Sequence, residues 1–501
     1  MLDFPILSLL IWLPIIIGLI LVISNDISKS LSSTITIMTT FIVLLISLKL
    51  FDAYNHTYGD LQFIERIIWI SGLNIYYFLA VDGISVSLIL LTSFINFLIA
   101  IFASSENYSN KSSYLGYFLI LEGLLMGTFS AFDSILFYIF FESLLIPLFL
   151  IIGIWGGANR KYATIKFFLY TLFGSVLMLV SIIYLANVAG SFAIQDFYSL
   201  TLSFEEQAII LLALLIGFGI KIPMWPVHTW LPDAHVEAPT SGSVILASVL
   251  LKVGGYGMIR FLLPIVTEAG IYFSEYMIYL SLIAIIYISF VAYAQEDMKK
   301  LIAYSSVAHM GFVTMGIFLV LNLLGTDPSA AAIGLEGAMM QMISHGLISA
   351  ALFFCIGIMY RYSHSRMIED NYGVAQFMPI FSFMMIFFLM ANSGLPGTSG
   401  FVGEFLVITS SLGSSFLFGF LAATSLILSA SYSLKLGKNV LFGENNDNHQ
   451  GYIDCQVNEK IVLATLIILV LYLGISPNLL FNLLDKSVND IIASLSLGNI
   501  Q

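Results

Sequence analysis

Charge is what this sequence lacks most. Only 10% of its 501 residues are Asp, Glu, Lys or Arg, against about 25% in a soluble domain. That shortage excludes an ordinary water-facing surface. The 18 basic residues are outnumbered by 30 acidic ones, for a net charge of −12. Nucleic-acid binding needs clustered Lys and Arg and is therefore excluded. Cysteine is nearly absent. Cys355 and Cys455 lie in different segments, too few for a Cys-ligated iron–sulfur cluster or a cysteine-rich zinc site, and no basis for a disulfide framework. Proline numbers only 12, so the places where it gathers carry information.

Apolar residues fill the remainder. They make up 59% of the chain, in recurring runs of about 18 or more, each long enough to cross roughly 30 Å of hydrocarbon. The fold class expected is an all-α polytopic membrane protein with about 14 transmembrane helices. The segments run 4–24, 31–51, 76–102, 113–131, 134–155, 164–187, 207–224, 240–264, 273–293, 299–321, 336–359, 378–412, 416–441 and 459–482. The first has no Lys or Arg before it and no small-residue cleavage site, so it reads as a retained helix. No linker is long enough for a soluble domain, and 1–501 reads as a single membrane domain. Lys29, Lys111, Arg160, Lys161, Lys166, Lys299, Lys300, Arg361, Arg366, Lys438 and Lys460 fall on one set of alternate loops. The opposite set offers little beyond Arg66 and Lys486. The positive-inside rule then puts both termini on the outer, periplasmic face.

Two segments contain helix breakers. The seventh reads GFGIKIPMWPVHTWLPDAH, with Pro223, Pro226 and Pro232. The twelfth reads NSGLPGTSG, with Gly394, Pro396, Gly397 and Gly400. Broken backbone at membrane depth is tolerated only where protein buries it or water lines it, and paired breaks point to a repeat. Helices 1–3 occupy 1–112. Segments 4–8 (113–264) and 9–13 (273–441) form two five-helix units, inverted because five is odd, and helix 14 follows at 459–482. This alignment matches Lys221 with Glu404 and Glu142 with His309. Lys435, near the end of segment 13, is a poor counterpart for Lys252.

Ionisable residues lie deep inside the apolar segments: Glu122, Glu142, Lys221, Lys252, His309, His345 and Glu404. Each charge at that depth costs roughly 2.5–3.5 kcal/mol on insertion scales. Seven of them, acidic, basic and imidazole, suggest a proton path. Glu142 (FYIFFESLLIPLF) and Lys221 form a switchable pair, since each stabilises the charged form of the other. A static packing ion pair is the plainer alternative. Lys252 (LASVLLKVGGYG) is too central to snorkel easily, and Gly254, Gly255 and Gly257 permit close helix approach. His309 and His345, with Ser305, Ser306 and Ser344, can relay protons, although a lone buried histidine is often only a hydrogen-bonded core residue. Glu404 reads as the terminal acid, and Glu122 as a group that pairs with a nearby cation or serves structure. Asp82 and Arg260 lie nearer helix ends and read as anchors. His228, Asp233 and His235 do not form a metal site, because prolines break the helical spacing such sites need.

With these motifs in view, the chain resembles the antiporter-like proton-pumping subunits of respiratory NADH:quinone oxidoreductase (complex I). The resemblance rests on FFESLLIPLFLIIGIWGG, FGIKIPMWPVHTWLPDAHVEAPTSGSVILASVLLKVGGYGMIRF, EDMKKLIAYSSVAHMGFV and SGLPGTSGFVGEF. It implies 14 helices, two inverted five-helix repeats, broken helices 7 and 12, and proton-transfer roles for Glu142, Lys221, Lys252 and Glu404. It implies no cofactor in this chain, with NADH, FMN, iron–sulfur clusters and quinone in partner subunits. Partners would be other complex I membrane subunits, sibling antiporter-like chains among them, and lipid. The setting would be a bacterial inner membrane, or the mitochondrial inner membrane for an organellar chain. Glutamate rather than lysine in helix 12, and a chain that stops soon after helix 14, set it apart from the sibling with a long lateral helix. A subunit of a multisubunit sodium/proton antiporter is the alternative. A scaffold or an autonomous solute transporter fits less well.

Overall fold

The computed structural model describes residues 4–24, 27–444 and 452–498. Backbone amides have no water partner in hydrocarbon, so the apolar runs satisfy them internally as helices. Among the described residues, eleven helices are long and apolar enough to span a membrane, or twelve if the bent pair Glu369–Gln376 and Pro379–Asn392 is one span. A total of fourteen requires three more polar or shorter stretches to span as well: Lys111–Ser130, Phe204–Lys221, and the broken stretch ending in Ser399–Ser414. Carboxylate and hydroxyl caps set several boundaries. Asp82 caps Gly83–Ser105, Asp133 caps Ser134–Ser143, and Asp297 caps Met298–Leu323, each accepting from first-turn amides. Ser203 and Glu206 form a reciprocal capping box ahead of Phe204–Lys221. Such a cap is worth about 1 kcal/mol.

Two elements differ from the sequence reading. The third segment was expected to begin at 76, but Ile75–Val81 is a strand. It pairs antiparallel with Gln62–Ile70 around Asn74, which adopts a left-handed conformation, and the helix starts only at Gly83. IYYFLAV is rich in β-branched and aromatic residues that suit a pleated, half-buried surface, and Asp82 marks the switch to helix. The final segment ends at Ile475, and a separate helix, Asn478–Gly498, begins beyond Pro477. Leu480, Leu484, Val488, Ile492 and Leu495 line its buried stripe, the spacing of an amphipathic surface helix.

The chain divides into two compact units. The first comprises Met1–Ile222, Val249–Phe273 and Asn482–Gln501; the second comprises Pro223–Ser248 and Ser274–Phe481. In the first, helix Ile6–Ile23 packs closely on Lys111–Ser130. A Cβ at Gly18 would lie 2.6 Å from the Gly116 carbonyl, so only glycine allows that approach. In the second, helices Met298–Leu323, Pro328–Ser363 and Ser399–Ser414 pack against one another. The apolar span of Pro328–Ser363 is wholly buried and forms the unit's core. Residues 1–3 and 499–501, to which the expected placement of the termini refers, lie outside the described residues.

Candidate functional site

In the first unit, Phe204–Lys221 ends at Lys221, just before the proline-broken stretch. Its ammonium is buried, with Nζ 4.8 Å from the centre of the Phe141 ring. Cation–π attraction of this kind is worth about 0.5–2 kcal/mol, more when desolvated. Glu142, the next residue after that phenylalanine, is half-buried with the Ser175 hydroxyl beside its carboxyl. Glu142 and Lys221 attract one another electrostatically. They do not touch, since Lys221 Nζ has no hydrogen-bond partner among the described residues. The structure thus brings the expected pair together as a loose charge pair rather than a locked salt bridge. Such a pair can change its separation without breaking a hydrogen bond between its two members.

Lys252 is fully buried in the same unit. It lies in Leu251–Gly257, flanked by π-helical stretches at Leu246–Leu250 and Met258–Leu262. Such wide turns recur at functional positions. Gly254 lets this helix close on Phe204–Lys221: a Cβ there would lie 2.6 Å from the Ile222 amide. Glu122 stands apart. It is fully buried, and neither carboxylate oxygen has a hydrogen-bond partner among the described residues. The expected pairing with a cation is therefore not seen. Asp82 and Arg260, read as helix-end anchors, form a buried ion pair of 2.7 Å. The Arg260 guanidinium also lies 4.9 Å from the Phe132 ring centre.

In the second unit, the glycine-broken segment turns sharply. Gly394 and Gly397 have positive φ of 74° and 91°, which glycine alone adopts without strain. A Cβ at Gly394 would also lie 3.0 Å from Glu404 Oε2, a tight contact. The helix restarts at Ser399 and buries Glu404. Glu404 Oε1 lies 2.9 Å from His309 Nδ1, and Gln341 Nε2 is 3.3 Å from each of those two atoms. His309 Nε2 faces the Tyr432 hydroxyl at 3.4 Å. The His345 ring centre is 5.8 Å from that of His309. Close by on the same two helices as His345 and Glu404, the Ser344 and Ser399 hydroxyls meet at 2.8 Å.

This arrangement has a definite chemistry. An imidazole has two distinct nitrogens. One nitrogen of His309 meets a carboxylate and the other a phenol hydroxyl, so a proton can arrive on one side and leave from the other. Gln341 and Tyr432 were missed in the sequence. Gln341 lies one turn before His345 and could have been noticed as a lone amide in an apolar helix. Tyr432 is one of 25 tyrosines, and nothing in its local sequence marks it. Lys299 was counted as a loop charge, yet it is buried, with Nζ donating to the Ala238 carbonyl at 2.7 Å. The nearby Arg366 lies 3.6 Å from Asp297 and 3.9 Å from Glu237. His235 is buried with its ring stacked on Phe353 at 4.6 Å.

Residues 131–429 match the family described as NADH:quinone oxidoreductase/Mrp antiporter, TM. A protein named NADH-quinone oxidoreductase subunit M, from Rickettsia prowazekii (strain Madrid E), is 43% identical over 98% of this chain and 99% of its own length. The chain belongs to this antiporter-like family. The family's matched span contains Glu142, Lys221, Lys252, His309, His345 and Glu404, and it begins after Glu122. A protein of Marchantia polymorpha named NADH-ubiquinone oxidoreductase chain 4 is 40% identical over 97% of each chain. Among solved structures, a chain of respiratory complex I from Thermus thermophilus superposes with a TM-score of 0.88. Its identity is 28%, with 98% of this chain and 99% of that one covered. The largely helical membrane architecture is thus shared with that chain.

Proposed function

We propose that this chain is the M-type membrane subunit of a proton-translocating NADH:quinone oxidoreductase. It moves protons through buried Glu, Lys and His side chains and is driven by redox chemistry in other subunits. One observation carries this reading: each unit holds its own acid–base cluster, with Lys221, His309 and Glu404 buried and Glu142 half-buried. The first unit has Glu142 with Lys221, which do not touch, and the second has Glu404 bonded to His309 at 2.9 Å. Separating Glu142 from Lys221 removes the attraction that favours the lysine's charge, and the lysine then releases its proton. Lys252, His309 and His345 carry protons onward, and Glu404 is the last acid. Glu122 contributes a further buried carboxyl. Moving one proton against the membrane potential takes about 2.3 kcal/mol per 100 mV, within the range of one low-dielectric charge pair changing partners.

NADH, FMN, iron–sulfur clusters and quinone belong to partner subunits in this reading. The neighbours are other complex I membrane subunits, including sibling antiporter-like chains. The membrane is the bacterial inner membrane, with both termini outside, or the mitochondrial inner membrane for an organellar chain. Fourteen helices and inverted repeats at 113–264 and 273–441 are part of the same proposal. The family description also names Mrp antiporters, and a sodium/proton antiporter subunit is the second reading. The near-full-length identity to a protein named subunit M favours the first. The test is Lys221→Ala and Glu142→Ala in the assembled complex in proteoliposomes. NADH-driven proton uptake should fall in both. Normal uptake in both would sink the mechanism, and sodium-dependent transport without NADH would favour the antiporter.

A further inference from the structure

A groove of about 750 Å³ opens on the second unit, walled by helices Thr267–Tyr293, Pro379–Asn392 and Ser425–Phe442. Its walls are apolar: Phe290, Leu389, Leu428 and Leu434 line it, and Phe290 and Leu434 are 58% and 50% exposed. Lys435 and Lys438 lie in the half of the groove toward Tyr293, where helix Thr267–Tyr293 ends, and no described acidic residue lines the groove. Lys435 Nζ donates to the Tyr293 carbonyl at 2.7 Å and lies 4.7 Å from the centre of that ring. An ammonium has three donors, so two remain for another acceptor. From Leu428 to Phe442 the helix rises about 21 Å, more than half of a hydrocarbon core of roughly 30 Å. Lys438 lies one turn from the end of that helix at Phe442, the region of a span that meets headgroups. Lys438 belongs to the Lys-rich loop face, the side whose leaflet carries anionic lipid.

We propose that this groove binds a diacyl phospholipid with an anionic headgroup. Its phosphate meets Lys435 and Lys438, and an acyl chain lies along Phe290, Leu389 and Leu434. Length, apolar lining and charge agree on that occupant: a free anion would leave the apolar walls unused, and a neutral lipid would leave the two lysines unmatched. The site is separate from the Glu404–His309 cluster, and its test does not read proton transfer.

The experiment uses the intact complex containing this chain, stripped of loosely held lipid and titrated with a photo-crosslinkable phosphatidylglycerol. Crosslinked peptides are mapped by mass spectrometry. Crosslinks to Ser425–Phe442 should saturate in the wild type. With Lys435→Gln and Lys438→Gln together, saturation should need about 30-fold more lipid, from about 1 kcal/mol per surface lysine. Ser431→Phe, which narrows the groove and keeps both lysines, should weaken crosslinking too. Unlabelled phosphatidylglycerol should compete, and phosphatidylcholine or inorganic phosphate should compete at least about tenfold less well. Equal crosslinking in wild type and both variants would overturn the proposal. So would equal competition by phosphatidylcholine, competition by phosphate alone, or no crosslink to this helix in the assembled complex.

Discussion

Replacing Glu404 by Gln removes one charge and almost no volume, so it isolates the electrostatics of the His309 cluster. At the observed 2.9 Å, an effective dielectric of about 20 gives roughly 6 kcal/mol of attraction between imidazolium and carboxylate. Desolvation of the two groups offsets much of this. If a third survives, about 2 kcal/mol of attraction between the two side chains is lost in the variant. Gln341 can bond a glutamine in place of the carboxylate, so the packing should hold. The assay is proton uptake by proteoliposomes bearing the assembled complex, measured with NADH oxidation. Glu404→Gln should lower the protons moved per electron while the complex assembles normally. An unchanged ratio at an unchanged rate would refute the reasoning, because a purely structural Glu404 would tolerate this change.

Three other outcomes follow from the same geometry. Gly254→Val places a Cβ 2.6 Å from the Ile222 amide and 2.7 Å from the Phe218 carbonyl; overpacking of this kind costs about 1–3 kcal/mol and should lower the complex's thermal midpoint in detergent. Arg260→Ala leaves Asp82 buried without its 2.7 Å partner, at a cost of about 3–5 kcal/mol; the double replacement Arg260→Met with Asp82→Leu should recover part of the lost midpoint. Gln341→Leu keeps the volume and removes the amide that is 3.3 Å from both His309 and Glu404; pumping should fall less than in Glu404→Gln, with assembly intact.

Much of the fold was legible because its signals are physically expensive. Uninterrupted apolar runs admit few structures, and the helix breaks were marked by Pro223, Pro226, Gly394 and Gly397, each with a backbone consequence. The buried ionisable residues stood out for the same reason: a charge in an apolar helix needs a cause. What escaped was cheap or ambiguous. Ile75–Val81 is as apolar as a membrane span, and only Asp82 separates strand from helix. Asn478–Gly498 follows an apolar segment so closely that its amphipathic stripe merged with it. Gln341 and Tyr432 are neutral and carry no insertion penalty large enough to draw notice. Lys299 lies two residues from a capping Asp297, and in sequence that looks like an ordinary loop charge. Its burial arises from the packing of residues far away in the chain. Pairing was the other limit. Sequence can nominate Glu122 and Glu404 alike, but only the fold shows that Glu122 lacks a hydrogen-bond partner among the described residues while Glu404 meets His309.

A turnover-induced infrared difference spectrum of the assembled complex, read in the carboxylic acid C=O region, asks directly whether these buried groups change protonation as electrons flow. A carboxyl band should appear or vanish on NADH addition in the wild type, and Glu404→Gln should abolish a distinct component of it. A difference spectrum identical in the two proteins would mean that the carboxyl beside His309 does not change protonation during turnover, and the proton-relay reading would fail at its centre.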